Sequence, residues 1–325
     1  MMKKLINFVL AVGLAFSLSG CQKANNSSNS ENKHYVVSQE AEIKALKKYH
    51  PYVWTVYWGK NDNLISLYQN SGNLSGIGDF AAYYTSSGKI FLPSQAEALV
   101  SQAKASTSLK CPVYLTVVND TAKEPKSQGL LEKILKDTSS QTKAAKAIVS
   151  LAKKNGFSGV EIDYENLGQA SSLWQKFLAF EKILYSLCQK DKLKLRVLLE
   201  PKVPKLSFPA GPTYVVMCYN LYGYSTKAGP KANYAFLDQM AKKFAYLKPD
   251  YALADGGFAF GKNVTPLTPS QIQKKGSRDA KSGALHYQKG DKTVWYADSQ
   301  TLKLWANRLQ KNSNYSIKVS LWRLE

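Results

Sequence analysis

Histidine is nearly absent from this chain. His34, His50 and His286 are the only three, and they furnish neither the HExxH pair of a zinc hydrolase nor a histidine-based nucleophile triad. Cysteine is also sparse. Beyond the N-terminal segment, Cys111, Cys188 and Cys218 form an odd, widely spaced set with no CxxC, which argues against a structural zinc and against a disulfide framework. Cys188 falls on a helical face and Cys218 in a strand pattern, so both are expected as buried free thiols. No GxGxxG and no P-loop occurs, which removes the nucleotide-binding versions of an open α/β sheet. No metal or organic cofactor is expected. Acids are scarce as well: 23 Asp and Glu stand against 44 Lys and Arg, a formal net charge of +21.

Long apolar runs are missing except at the start. Lys3 and Lys4 precede a run from Leu5 to Leu18, the layout of a secretory signal that is too short for a stable membrane span. Leu18-Ser19-Gly20-Cys21 resembles the lipobox of bacterial lipoproteins. That resemblance implies removal of residues 1–20, a lipid on Cys21 and attachment to the outer face of a bacterial membrane. The Asn-, Ser- and Lys-rich stretch that follows reads as a flexible tether over 21–37, with one domain over 38–325. Loss of Lys3 and Lys4 takes the net charge from +21 to +19. An exported protein has little access to nucleic acid. Its acidic partners are lipid head groups, anionic wall polymers and peptidoglycan carboxylates, which a diffuse positive field concentrates without specificity.

Strand patterns at Tyr52–Trp58, Ile77–Tyr84, Pro112–Val118, Val160–Glu165, Leu193–Leu199, Tyr214–Tyr219, Tyr251–Phe260 and Ile317–Trp322 alternate with helical ones. The helical patterns are Glu40–Tyr49, Asn63–Gln69, Pro93–Lys104, Thr142–Asn155, Leu173–Cys188, Ala235–Leu247 and Asp298–Gln310. Eight such repeats are the arithmetic of a (β/α)8 barrel, with its active site at the C-terminal ends of the strands. No helix is read after the eighth strand, and the pattern at Glu40–Tyr49 is expected to cover that gap. A polar excursion follows Phe260, with a small hairpin across Ala284–Tyr296. It reads as too short to build a wall beside the cleft, so an open groove is expected.

The fourth strand pattern is unusual. Two-residue alternation puts Glu161, Asp163 and Glu165 on one face and Val160, Ile162 and Tyr164 on the other. Strands of a parallel sheet are usually apolar on both faces, and unpaired buried carboxylates are costly. A barrel resolves this by turning the acidic face toward a cleft; the alternative is an antiparallel strand with that face in water. Glu165 falls at the strand's C-terminal end, with Asp163 about 6.6 Å below it. Each member of such a pair raises the other's pKa, and one protonated acid beside one carboxylate suits glycoside hydrolysis. On the residues alone, Glu165 working with Glu200 or Asp255 as a second carboxylate weighs evenly against assistance from the substrate itself.

The segment Gly159-Val160-Glu161-Ile162-Asp163-Tyr164-Glu165 resembles the DGxDxDxE signature of glycoside hydrolase family 18, the chitinase-like barrels. Met217-Cys218-Tyr219-Asn220 resembles that family's M-x-Y-D, and Gly229-Pro230-Lys231 a following Gly-Pro element. Thr293–Asp298 and Val319–Leu324 resemble the C-terminal part of its branch that cuts bacterial cell wall and spore cortex. The likeness spans roughly residues 50–325. It implies a retaining, substrate-assisted mechanism in which Glu165 is the general acid and base, Asp163 orients the 2-acetamido group and Tyr219 hydrogen-bonds its oxygen. Trp322 floors the sugar subsite, with Met217, Asn220 and Glu161 among the substrate contacts. Ser158 and Glu161 stand where the signature has aspartates, and Asn220 replaces the Asp of M-x-Y-D. The resulting expectation is a monomeric glycosidase cleaving after N-acetylglucosamine in peptidoglycan or a related polymer. Chitin is the alternative substrate, and a glycan-binding barrel without turnover is the alternative class.

Overall fold

The computed structural model describes residues 35–59, 74–105, 111–169 and 171–324. The signal, Cys21 and most of the tether lie outside the described residues, as does the helix expected at Asn63–Gln69. Eight strands among the described residues match the eight patterns: β1 (Tyr52–Val56), β2 (Gly76–Tyr84), β3 (Val113–Thr121), β4 (Gly159–Asp163), β5 (Lys194–Leu199), β6 (Thr213–Met217), β7 (Asp250–Ala254) and β8 (Val319–Trp322). Each pairs parallel with the next, and β8 pairs back onto β1, with Tyr52 opposite Ser320. The sheet is therefore closed, a (β/α)8 barrel.

Helices form where apolar residues recur at helical spacing and a polar residue can cap the first turn. The described helices are α1 (Gln39–Leu46), α2 (Ser94–Ala105), α3 (Gln128–Ile134), α4 (Thr138–Asn155), α5 (Ser171–Lys190), α6 (Tyr234–Phe244) and α7 (Ser299–Lys311). In α4, the Ser140 N–H donates to the Asp137 carboxylate at 2.8 Å, and Gly156 ends the helix in the left-handed region at φ 74°. Asp298 caps α7 in the same way and also binds Arg278 at 2.8 Å. α1 packs against α7: Ile43 and Leu46 are fully buried, and the Tyr49 hydroxyl donates to Asn307 at 2.6 Å. This helix, N-terminal in sequence, thus covers the barrel flank beside β8.

The outward side chains of the strands and the inner faces of the helices make the main core. In β4, Val160 and Ile162 join it, and Tyr164 just beyond stacks on Phe180 and hydrogen-bonds Tyr84 at 2.5 Å. The barrel interior is a second, aromatic-rich cluster of Tyr52, Trp54, Tyr114, Leu198, Val215, Met217 and Ala252. Gly78 makes room for it, since a Cβ there would lie 2.3 Å from the Trp54 ring. Cys188 and Cys218 are buried free thiols.

One expectation is corrected. Tyr251–Phe260 is not one strand. It breaks at Asp255-Gly256, where Gly256 has φ +58° and a Cβ would meet the Leu267 carbonyl oxygen at 2.3 Å. After the break, Gly257–Phe260 enters a separate five-stranded antiparallel sheet with Thr265–Leu267, Lys292–Tyr296, Leu285–Lys289 and Ser277–Arg278. The excursion is therefore a folded layer of its own, with Ala259, Ile272, Leu285, Val294 and Tyr296 as its core. The hairpin expected inside it is present, between Leu285–Lys289 and Lys292–Tyr296.

Glu181 on α5 is 1% exposed and meets the Tyr214 hydroxyl, whose oxygen also lies 2.5 Å from the Pro209 carbonyl. The phenol O–H is the donor toward both the Glu181 carboxyl and the Pro209 carbonyl. Burial pushes Glu181 up to about 8, partly offset by that hydrogen bond. The unfolded chain ionises this group near 4.5, so native protein holds the extra proton between about pH 4.5 and 8 and stability falls across that window. We expect wild type to lose on the order of a few kcal/mol from pH 5 to pH 8 through this group. Glu181→Gln, which keeps an acceptor for the phenol and does not titrate, should flatten that slope in urea melts at the two pH values.

Candidate active site

The C-terminal ends of β4, β6, β7 and β8 bring the expected residues to one mouth. Asp163 is the last residue of β4, and Glu165 lies two residues beyond; they are 7% and 9% exposed. The β4 ladder has ended there, and Asn119 of β3 replaces it. Its side-chain carbonyl accepts from Glu165 N–H at 2.9 Å, and its amide donates to the Glu165 carbonyl at 2.9 Å. Asn166, at φ 61°, turns the chain away, its N–H donating to Glu200 at 2.8 Å. Glu200 therefore acts here as a hydrogen-bonding partner of the turn. Asp255 accepts from the Arg323 N–H at 3.2 Å and from Gln39 at 3.2 Å, beneath the mouth.

Tyr219 lies two residues past β6, half-buried. Trp322 ends β8 and packs edge-on against Phe80, centroids 4.8 Å apart, and against Trp54 at 5.9 Å. Met217 is 2% exposed beneath them, in the interior cluster. Asn220 is exposed, its amide 3.9 Å from the Met217 sulfur. Tyr219, Asn220, Trp322, Lys231, Tyr224 and Phe258 line a cleft of about 350 Å³. Of the added sheet, Phe258 lines the cleft, and it stacks edge-on with Tyr224 at 5.6 Å.

Glu161, expected among the substrate contacts, is not in the cleft. It is fully buried, two residues below Asp163, and bound on all sides: Arg196 at 2.8 Å, Thr116 at 2.9 Å and the Trp54 indole N–H. Arg196 also reaches Ser320 at 2.9 Å and Asp250 at 3.4 Å and lies 3.8 Å from the Tyr52 ring centroid. Inward direction is common to all three acids of the strand, but depth separates them. A carboxylate this low meets the barrel's own donors before any ligand.

The upper two acids differ in their partners. Glu165 Oε2 accepts from the Lys126 ammonium at 2.6 Å. Asp163 Oδ1 is buried with no partner among the described residues. Burial raises both carboxyls; the Glu165 charge raises Asp163 further, well above the usual range, whereas Lys126 opposes the rise at Glu165. Of the two, Glu165 is the one with a cation at hydrogen-bond distance. The Tyr219 phenol is raised by burial and then by Asp163 and Glu165, whose field reaches it. Sequence reasoning missed Lys126, Phe258 and Tyr224. Lys126 is one of many lysines in a loop after β3, and no spacing rule relates it to Glu165.

Fold and site together define a class: a (β/α)8 barrel with a carboxyl pair at the end of β4 whose charges reach Tyr219, a residue of an aromatic-walled cleft that neither carboxyl itself lines. No protein-family model matches the sequence, and no curated protein is similar to it. Solved structures do resemble it. A chitinase from Chromobacterium violaceum superposes with a TM-score of 0.68 at 19% identity, covering 84% of this chain and 93% of that one. The spore cortex-lytic enzyme SleL of Bacillus megaterium gives 0.68 at 16%, covering 85% and 70%. A family 18 chitinase of Cycas revoluta, in complex with (GlcNAc)3, gives 0.67 at 13%, covering 84% and 94%. At these identities the likeness is one of fold.

Proposed function

We propose that this protein is a glycosidase of the family 18 type, cleaving β-1,4 bonds after N-acetylglucosamine in peptidoglycan or a related polymer with retention of configuration. The observation that carries the reading is the pair Asp163 and Glu165 at the C-terminal end of β4, within electrostatic reach of Tyr219, which lines the cleft with Trp322. In this reading Glu165 protonates the glycosidic oxygen and later, as a base, activates water. The substrate's 2-acetamido oxygen attacks the anomeric carbon as the leaving group departs, giving an oxazolinium ion. Asp163 orients the acetamido nitrogen and stabilises its positive charge, Tyr219 donates to the acetamido oxygen, and Trp322 stacks under the sugar. The names of the structural relatives, chitinases and a cortex-lytic enzyme, support the same substrate class.

The test is digestion of purified peptidoglycan and of chitin by wild type and Glu165→Gln, with mass spectrometry of the new ends. N-acetylglucosamine reducing ends that appear only with wild type support the reading; cleavage of chitin alone selects the chitinase alternative. A second reading rests on Asn220, which stands exposed where the family motif has a charged aspartate. Tight glycan binding with no cleavage by either protein selects a glycan-binding barrel.

The location is proposed on Lys3, Lys4, the apolar run and Cys21: a lipid-anchored protein on the outer face of a bacterial membrane. Among the described residues no helix is long and apolar enough to cross a membrane. Cys21→Ala is expected to move the protein from the membrane fraction to the soluble exported fraction. Unchanged fractionation counts against the lipid.

A further inference from the structure

Lys126 occupies the position a general acid can least tolerate. Its ammonium lies 2.6 Å from Glu165 Oε2 and favours the ionised form of a group that must donate a proton. The backbone under it is fixed: the Lys126 N–H donates to Asp120 at 2.8 Å, Asn166 donates to its carbonyl at 3.3 Å, and φ is 50°. The side chain is not fixed, being 51% exposed with no other ion pair among the described residues. A lysine is a compact charge on a four-carbon stem, so it can leave Glu165 without moving the loop, provided that another anion receives it.

The circular strand order places Lys126 relative to the cleft. β3 and β4 stand opposite β7 and β8 in the barrel. Trp322 at the end of β8 and Phe258 after β7 line one side of the mouth, and Glu165 after β4 and Lys126 after β3 lie together on the other. With the sugar that becomes the new reducing end held over Trp322 and the scissile oxygen at Glu165, Lys126 faces the leaving-group sugar. We infer that Lys126 recognises a carboxylate on the leaving-group side of an acidic amino-sugar glycan, and that this exchange of partners frees Glu165 to take up a proton and act as the general acid. This rests on the glycosidase reading and narrows its substrate to carboxylate-bearing strands. The ammonium stays paired throughout, and the proton gained by Glu165 comes from solvent or from Asp163. Asp120, Asp163 and Glu200, which also act on this pair of acids, are all acidic.

Glycan strands provide the test, prepared with stem peptides (peptide carboxylates) or stripped of them (lactyl carboxylates). Each is used as such and after conversion of its carboxyls to methylamides, with N-acetylglucosamine oligomers as the neutral reference. Wild type is expected to cleave the free-carboxylate strands with a kcat/KM about tenfold above their methylamides, as a single charge-assisted contact predicts. Whichever preparation shows the difference identifies the carboxylate. In Lys126→Met the ratio should fall to about one, and Lys126→Arg should restore part of it. On the neutral oligomer, Lys126→Met should move the alkaline limb of the pH profile upward, because Glu165 loses its cation; a purely structural role would leave that limb in place. Equal ratios in wild type and Lys126→Met overturn the inference. If no strand is cleaved at all, the glycosidase reading fails separately. Calorimetric binding then decides: equal affinity for free and methylamidated strands overturns the role of Lys126, and a preference lost in Lys126→Met sustains it.

Discussion

Glu165→Gln is expected to lower kcat on glycan strands by a factor of about 10²–10⁴, the range by which a positioned acid or base accelerates such steps, with a much smaller change in binding. The amide fills the volume of the carboxyl but cannot release a proton to the departing oxygen. The two backbone hydrogen bonds from Asn119 that position residue 165 do not involve its side chain, so the fold at the end of β4 should persist. The variant does remove the anion that Lys126 pairs with, and because that lysine is half exposed, loss of the pair should cost little stability. A variant retaining more than about a tenth of wild-type kcat would remove Glu165 from the catalytic role. Initial rates by reducing-end release, together with urea melts of both proteins, separate loss of chemistry from loss of fold.

Arg196→Met should be the most destabilising single change in the barrel interior. It leaves Glu161, fully buried, without the guanidinium 2.8 Å away, and deprives Asp250 of its partner at 3.4 Å. Breaking a buried pair from one side costs about 3–5 kcal/mol, because the remaining charge stays desolvated, and this is a large share of the ~5–15 kcal/mol by which a typical domain is stable. Removing both partners is different. Glu161→Gln combined with Arg196→Met should recover much of the loss, since the new side-chain amide would still meet Thr116 and the buried charge of that pair would be gone. The urea midpoints of the two single variants and the double variant complete the cycle. A double variant as unstable as the sum of the singles would show that Glu161 and Arg196 do not act as a pair.

The two glutamates at positions 161 and 165 illustrate what could be read before the structure. Both lie on the face of β4 that strand alternation marks as acidic, and the family resemblance assigned both to the site. Alternation gives direction but not depth. Glu165 sits past the last ladder bond, where the chain opens to the mouth, whereas Glu161 sits among Trp54, Thr116 and Arg196, contributed by three other strands. The same limit applies to Tyr251–Phe260. Its composition is that of a strand throughout, and the break at Gly256 follows from the two sheets that its halves join. Lys126 was unreadable for a related reason: it lies 39 residues before Glu165, on a loop whose course depends on Asp120 and Asn166.

Local chemistry was sufficient for much else. Short-range periodicity alone determined eight strand patterns with helical ones between them, the outward apolar faces and the acidic inner face of β4, because each depends on neighbours a few positions apart. Only the tertiary structure decided which acid is enclosed and which is presented, and which cation holds Glu165. Those are contacts between residues 39 to more than 100 apart in sequence, and they exist only once the sheet has closed and the loops share one mouth.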